Sequence, residues 1–139
     1  KVAVVTGGAH RVGKAIALAL AAAGVHLVIH YHQASSEAAA TLSEIEALGV
    51  RAVGVPADLG DPAGATAVFE AAEREFGGVD LLVNSAASFQ SGNVLTLSPE
   101  DWQDTLNVNL SGPFYCAQLA ARSMLARLAW ARERGQMGA

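Results

Sequence analysis

The apolar run Val2-Ala3-Val4-Val5 leads directly into Thr6-Gly7-Gly8-Ala9-His10-Arg11-Val12-Gly13, and an amphipathic stretch from Ala15 to Ala23 follows at once. No other feature restricts the fold as much. A buried strand, a glycine-rich turn and a helix N-terminus, in that order, make an anion-binding device. The glycines permit a tight bend and close backbone approach. The free N–H groups of the first helical turn and the helix dipole then favour negative charge. Such a unit reads as the first βα element of a dinucleotide-binding α/β fold.

The rest of the chain repeats the alternation. Apolar runs at 2–5, 25–29, 51–55 and 79–83 read as buried parallel strands, and helical patterns lie near 12–23, 36–48 and 62–76. Gly24 and Gly49 sit just past helix ends, Asp61-Pro62 supplies a cap and a first-turn proline, and Gly77-Gly78 closes the third helix. Ser98-Pro99-Glu100-Asp101 opens a long helical region, Trp102 to Arg134, with an interruption expected at Gly112-Pro113; Gly135 to Ala139 reads as a loop. Right-handed crossovers give the sheet order 3-2-1-4. The expectation is therefore one Rossmann-type, doubly wound α/β domain, 1–139. It is C-terminally incomplete, because strand 4 would be left as an apolar edge, Leu81-Leu82-Val83.

Composition narrows the function. Charged residues are 16% and the net charge is -4, which gives no basic surface for nucleic acid. One cysteine, Cys116, excludes an internal disulfide framework and makes the cytoplasm the expected compartment. No stretch reads as a membrane span or a signal peptide.

Four short patterns, in order, resemble the short-chain dehydrogenase/reductase family. Thr6, Gly7 and Gly13 match T-G-x-x-x-G-x-G, with Arg11 in place of the middle glycine. Asp58-Leu59 follows strand 3, Asn84-Ser85-Ala86-Ala87 stands where the family has N-N-A-G, and Asn107-Val108-Asn109-Leu110-Ser111-Gly112 is similar to N-x-N-L-x-G. The resemblance implies that Asn109 is the Asn of the catalytic tetrad and that Asp58 accepts from the adenine amino group. It places Thr6, Gly7, Gly8, His10, Arg11, Val12, Gly13, Tyr31, His32, Ser35, Leu59, Asn84, Ser85 and Ala86 around the cofactor.

Asn109 also follows from physics. Pro113, four residues on, has no N–H, so the Asn109 carbonyl loses its α-helical donor and needs another partner. We expect that carbonyl to face a polar pocket. Family members use it to hold a water in the proton relay.

Cofactor choice is read at the end of strand 2. NAD enzymes place an acid there for the ribose 2′-hydroxyl. His30-Tyr31-His32-Gln33-Ala34-Ser35 contains none, while His10 and Arg11 supply positive groups and His32, Ser35 and Ser36 supply donors, so NADP(H) is expected. A metal site from His26, His30 and His32 is the rival reading; without an acidic or Cys ligand, no metal is expected.

Within the family the pattern is most similar to pteridine reductases, through Arg11, His30-Tyr31-His32 and Ser88-Phe89, although Ala87 replaces one serine. This implies Phe89 stacking on a pterin, with Arg11 and Ser88 at the substrate. The framework is shared by 3-oxoacyl-[acyl-carrier-protein] reductases, and a non-catalytic dinucleotide-binding module is the alternative of another class. The family's Tyr-x-x-x-Lys is missing: the tyrosines are Tyr31 and Tyr115, and the lysines Lys1 and Lys14. These 139 residues are thus expected to bind cofactor without reducing a substrate. The longer protein is expected to be a homo-oligomer, a tetramer by resemblance, using the helix of Tyr115 and Cys116. Cys116 itself reads as a core residue rather than a nucleophile.

Overall fold

The computed structural model describes residues 1–135; the remainder of the expected C-terminal loop, 136–139, lies outside the described residues. The elements are β1 (Val2–Thr6), α1 (Arg11–Ala22), β2 (His26–Tyr31), α2 (Ser35–Glu46), β3 (Ala52–Pro56), α3 (Pro62–Phe76), β4 (Leu81–Asn84), α4 (Pro99–Leu106), a π-helical turn (Asn107–Ser111) and α5 (Gly112–Glu133). The four strands form one parallel sheet in the order β3-β2-β1-β4, as the right-handed crossover rule requires.

Every residue of β1 is buried, which a central strand covered on both faces demands. Its side chains alternate between two cores. Val2 and Val4 join Val68, Phe69 and Ala72 of α3 and Cys116 and Ala120 of α5. Ala3 and Val5 join Ala17 and Ala21 of α1 and Ile45 of α2. Full burial of one such Val or Ile contributes about 1.5–3 kcal/mol. The fold is therefore an α/β Rossmann-type sheet with a helical layer on each side.

Two differences from expectation bear on the site. Strand β2 runs two residues further than the apolar run, because His30 and Tyr31 pair with Val55 and Pro56 of β3. The second is the expected interruption at Gly112-Pro113. The helix continues through it, and the irregularity falls earlier, at Asn107–Ser111. There the Gly112 N–H donates to the Asn107 carbonyl, five residues back. Widening by one residue lets the chain pass Pro113, which has no N–H to give. Gly112 is also pressed on its neighbours: a Cβ there would lie 2.8 Å from the Leu59 carbonyl.

At the opposite end of the sheet, α5 is fastened to the entry of β4. The Val79 N–H donates to Ser123 Oγ at 3.0 Å, and Arg127 lies 3.5 Å from Asp80, whose carboxylate accepts the Val2 N–H at 2.7 Å. Strand β4 forms one edge, with Leu81 exposed there.

Candidate functional site

The turn between β1 and α1 is held by side chains from three elements. Thr6 Oγ1 accepts the N–H groups of Ser85 and Ala86 at 3.0 and 3.1 Å, tying the turn to the chain leaving β4. His30 Nδ1 accepts the Gly7 N–H at 3.1 Å, while its Nε2 lies 3.0 Å from the Ala57 carbonyl. Thr41 Oγ1, buried in α2, donates to the Ala9 carbonyl at 2.7 Å. The Gly8 N–H donates to the His30 carbonyl at 3.0 Å.

Two glycines are dictated by space. Gly7 has φ +62°, and a Cβ there would come within 2.8 Å of Ala86 Cα; a Cβ on Gly13 would collide with the Gly7 carbonyl oxygen. Arg11 occupies the position of the missing middle glycine and has φ 51°, a left-handed conformation that an L residue pays for.

Helix α1 starts without a side-chain cap and without an acid in its first turn. By contrast, Asp61 caps α3 and Ser98 caps α4. The uncapped terminus opens on a cleft of about 1020 Å³, at the upper end of the ~300–1,000 Å³ usual for ligand sites. One wall is Gly7, Ala9, His10, Arg11, Val12 and Gly13; the next is His30 to Ala34; the third is Asp58 to Asp61; and Ser85 to Ser88 with Asn107 and Val108 close it. The cleft therefore lies across the C-terminal ends of all four strands, where open α/β sheets bind ligands.

Most of the residues expected around the cofactor meet here: Gly7, His10, Arg11, Val12, Gly13, Tyr31, His32, Asp58, Leu59, Ser85 and Ala86, with Ser88. Others do not line the cleft. Thr6 is buried and its hydroxyl is engaged as described. Gly8 packs inward, where a Cβ would meet Ile29 and the Val5 carbonyl at 3.1 Å. Ser35 begins α2, directly after the wall residue Ala34, and does not itself line the cleft. Asn84 directs its amide to the Pro113 carbonyl at 3.4 Å. Phe89 is 91% exposed and neither lines the cleft nor packs on a core cluster.

Asn109 also acts from behind the wall. Its Oδ1 accepts the Ser88 N–H and its Nδ2 donates to the Ser88 carbonyl, both at 2.7 Å. It sits in the π-helical turn, four residues before Pro113, so its own carbonyl has no α-helical donor. Asp58 Oδ1 accepts the Gly60 N–H at 2.8 Å, so part of its carboxylate shapes its own loop.

Three electrostatic details bear on the chemistry. Burial lowers the His30 pKa, opposed by the hydrogen bond to Ala57. Glu37, missed in reading the segment after β2, accepts from Ser36 at 2.7 Å and is held below the usual carboxylate range, first by that bond. The Ser36 hydroxyl is thus already committed. Burial pushes the Cys116 thiol up to about 11, so it is neutral and sits in the core. That position agrees with the reading of Cys116 as a core residue rather than a nucleophile. His26 accepts the Arg51 N–H at 3.0 Å and stacks on Phe76 rather than facing His30.

The cleft fits a phosphate-bearing dinucleotide. The uncapped helix terminus and the turn residues Gly7, His10, Arg11 and Gly13 that line the cleft suit a pyrophosphate, and Asp58 and the His32 segment line its other walls.

Comparison with known proteins agrees with this geometry. The short chain dehydrogenase family model matches residues 1–136, and the chain belongs to that family. It is 37% identical over 125 residues to a 3-oxoacyl-[acyl-carrier-protein] reductase of Synechocystis sp., covering 90% of this chain and 51% of that protein. A short chain dehydrogenase from Burkholderia cenocepacia J2315, solved in complex with NADP, superposes with TM-score 0.85 at 40% identity, covering 88% of this chain and 50% of that one. A blue fluorescent protein from a metagenomic library, in complex with NADPH, gives TM-score 0.84 at 40% identity, covering 89% and 51%. The chain spans about half the length of the relatives it matches.

Proposed function

We propose that this chain is the cofactor-binding part of an NADP(H)-dependent short-chain oxidoreductase that reduces a carbonyl or pterin-like substrate. The observation that carries the cofactor choice is the wall at the end of β2. Tyr31, His32, Gln33 and Ala34 line the cleft there without a carboxylate, and His10 and Arg11 face the same space. The NADP and NADPH complexes of similar structures support it. When bound, the nicotinamide supplies the hydride. The residues of this chain would bind and orient it: the turn and α1 would hold phosphate, Arg11 would add a charge-assisted bond, and Asp58 would accept from the adenine. Asn109 braces Ser88, and its carbonyl is available to a water in a proton relay. The acid itself, a Tyr with its Lys, would come from outside these 139 residues.

A 3-oxoacyl thioester is the second substrate reading, supported by the Synechocystis relative. The pterin reading rests on Arg11 and on the exposed Phe89 beside the cleft residue Ser88. Assaying the full-length protein with dihydropterins, 3-oxoacyl thioesters and simple ketones separates them. Turnover of thioesters alone rules out the pterin reading; cofactor binding with no turnover of any leaves the non-catalytic module. The same proposal makes the protein a cytoplasmic homo-oligomer with no nucleic-acid or membrane partner. Exposed Trp102, Phe114, Leu125 and Trp130 on α4 and α5 would meet a second copy.

A further inference from the structure

His30 is 3% exposed, yet it stands at the wall of the cleft and spends both ring nitrogens on backbone groups of different strand exits. The Gly7 N–H, in the turn after β1, must donate, so Nδ1 must carry a lone pair. The Ala57 carbonyl, after β3, must accept, so Nε2 must carry the proton. Only the neutral Nε2–H tautomer satisfies both.

We propose that His30 is a positioning residue for the phosphate-binding turn, and that its neutral Nε2–H tautomer holds Gly7 in the anion-binding shape. This inference rests on the reading of the cleft as an NADP(H) site. Gly7 has little alternative, since its carbonyl packs against Gly13 and its Cα position against Ala86. Protonation of Nδ1 would set a donor against the Gly7 donor at 3.1 Å and release the turn. The ionisable groups around the ring are His32 after β2, Asp58 after β3, and His10 and Arg11 in the turn. His32 opposes protonation and Asp58 favours it, while burial outweighs both.

The test is NADPH affinity of the full-length protein by fluorescence titration, from about pH 5 to about pH 8. His30→Asn keeps an acceptor near Nδ1 and has no titration. It should bind within about threefold of wild type at neutral pH and lose the acid-side weakening. His30→Leu, which leaves Gly7 unpartnered, should bind about tenfold more weakly across the range. Nitrogen NMR of the imidazole, which needs no variant, should show Nδ1 unprotonated at neutral pH. Tight wild-type binding with an indifferent His30→Leu, an unchanged acid step in His30→Asn, or an Nδ1–H tautomer would each overturn the inference alone. A wild type that binds no NADPH at any pH would overturn the cofactor reading and this inference with it.

Discussion

Asn109 pairs with Ser88 as one strand pairs with another: Oδ1 accepts the Ser88 N–H and Nδ2 donates to the Ser88 carbonyl, both at 2.7 Å. The side chain of a π-helical turn thus fixes the backbone that closes the cleft beyond β4. Asn109→Ala should cost about 1–2 kcal/mol of stability, and the Ser88 amide should lose hydrogen-exchange protection. An equally protected Ser88 amide in the variant would contradict the pairing.

Arg11 combines a left-handed backbone with the charge that faces the cleft. Relief of an L residue from that conformation is worth about 1–2 kcal/mol, offset by about 0.5–1 kcal/mol of glycine entropy. Arg11→Gly should therefore be as stable as wild type or slightly more so, whereas Arg11→Ala should gain nothing. Both should weaken NADPH by about 1–3 kcal/mol. Urea denaturation beside cofactor titration separates the two effects. A strongly destabilised Arg11→Gly would show that the guanidinium, rather than the backbone, fixes the turn.

Gly13→Ala should be far more damaging than its size suggests. The added methyl would occupy the space of the Gly7 carbonyl oxygen. Because backbone must move, a loss of about 3 kcal/mol or more is expected, in stability, cofactor affinity or both. Retained folding with near-normal NADPH binding would contradict the packing of the turn on α1.

Much of this was legible in the sequence because the cues were local. Asp61-Pro62 marked the start of α3, Gly24 and Gly49 the ends of helices, and the handedness of crossovers fixed the place of β1 beside β4. What stayed hidden was tertiary. His30 and Thr41 look like ordinary members of a strand and a helix, and only the approach of Gly7, Ala57 and Ala9 turns them into braces. The disturbance caused by Pro113 was visible, but its form was not. A proline removes a donor without saying whether the helix breaks or widens, and here the contact of Gly112 with Leu59 accompanies a widened turn. The commitment of Thr6 to Ser85 and Ala86 was likewise invisible until β4 lay beside β1.

Acid should destabilise the fold through His30. Burial holds its folded pKa below the ordinary histidine value of 6.5, so the unfolded chain binds the proton more readily. The stability it contributes is complete above about pH 6.5 and is lost as pH falls through the folded pKa. The urea midpoint of wild type should drop between about pH 7.5 and about pH 5 by more than that of His30→Asn. Parallel profiles for the two proteins would show that other groups carry the acid sensitivity.

The cleft beyond the four strands is proposed to take a 2′-phosphorylated dinucleotide. Titrating the full-length protein with NADPH and NADH under identical conditions of pH and salt decides this. NADPH should bind at least about tenfold more tightly, as one charge-assisted hydrogen bond to phosphate would provide. That preference should shrink in Arg11→Ala. Equal or tighter binding of NADH would contradict it.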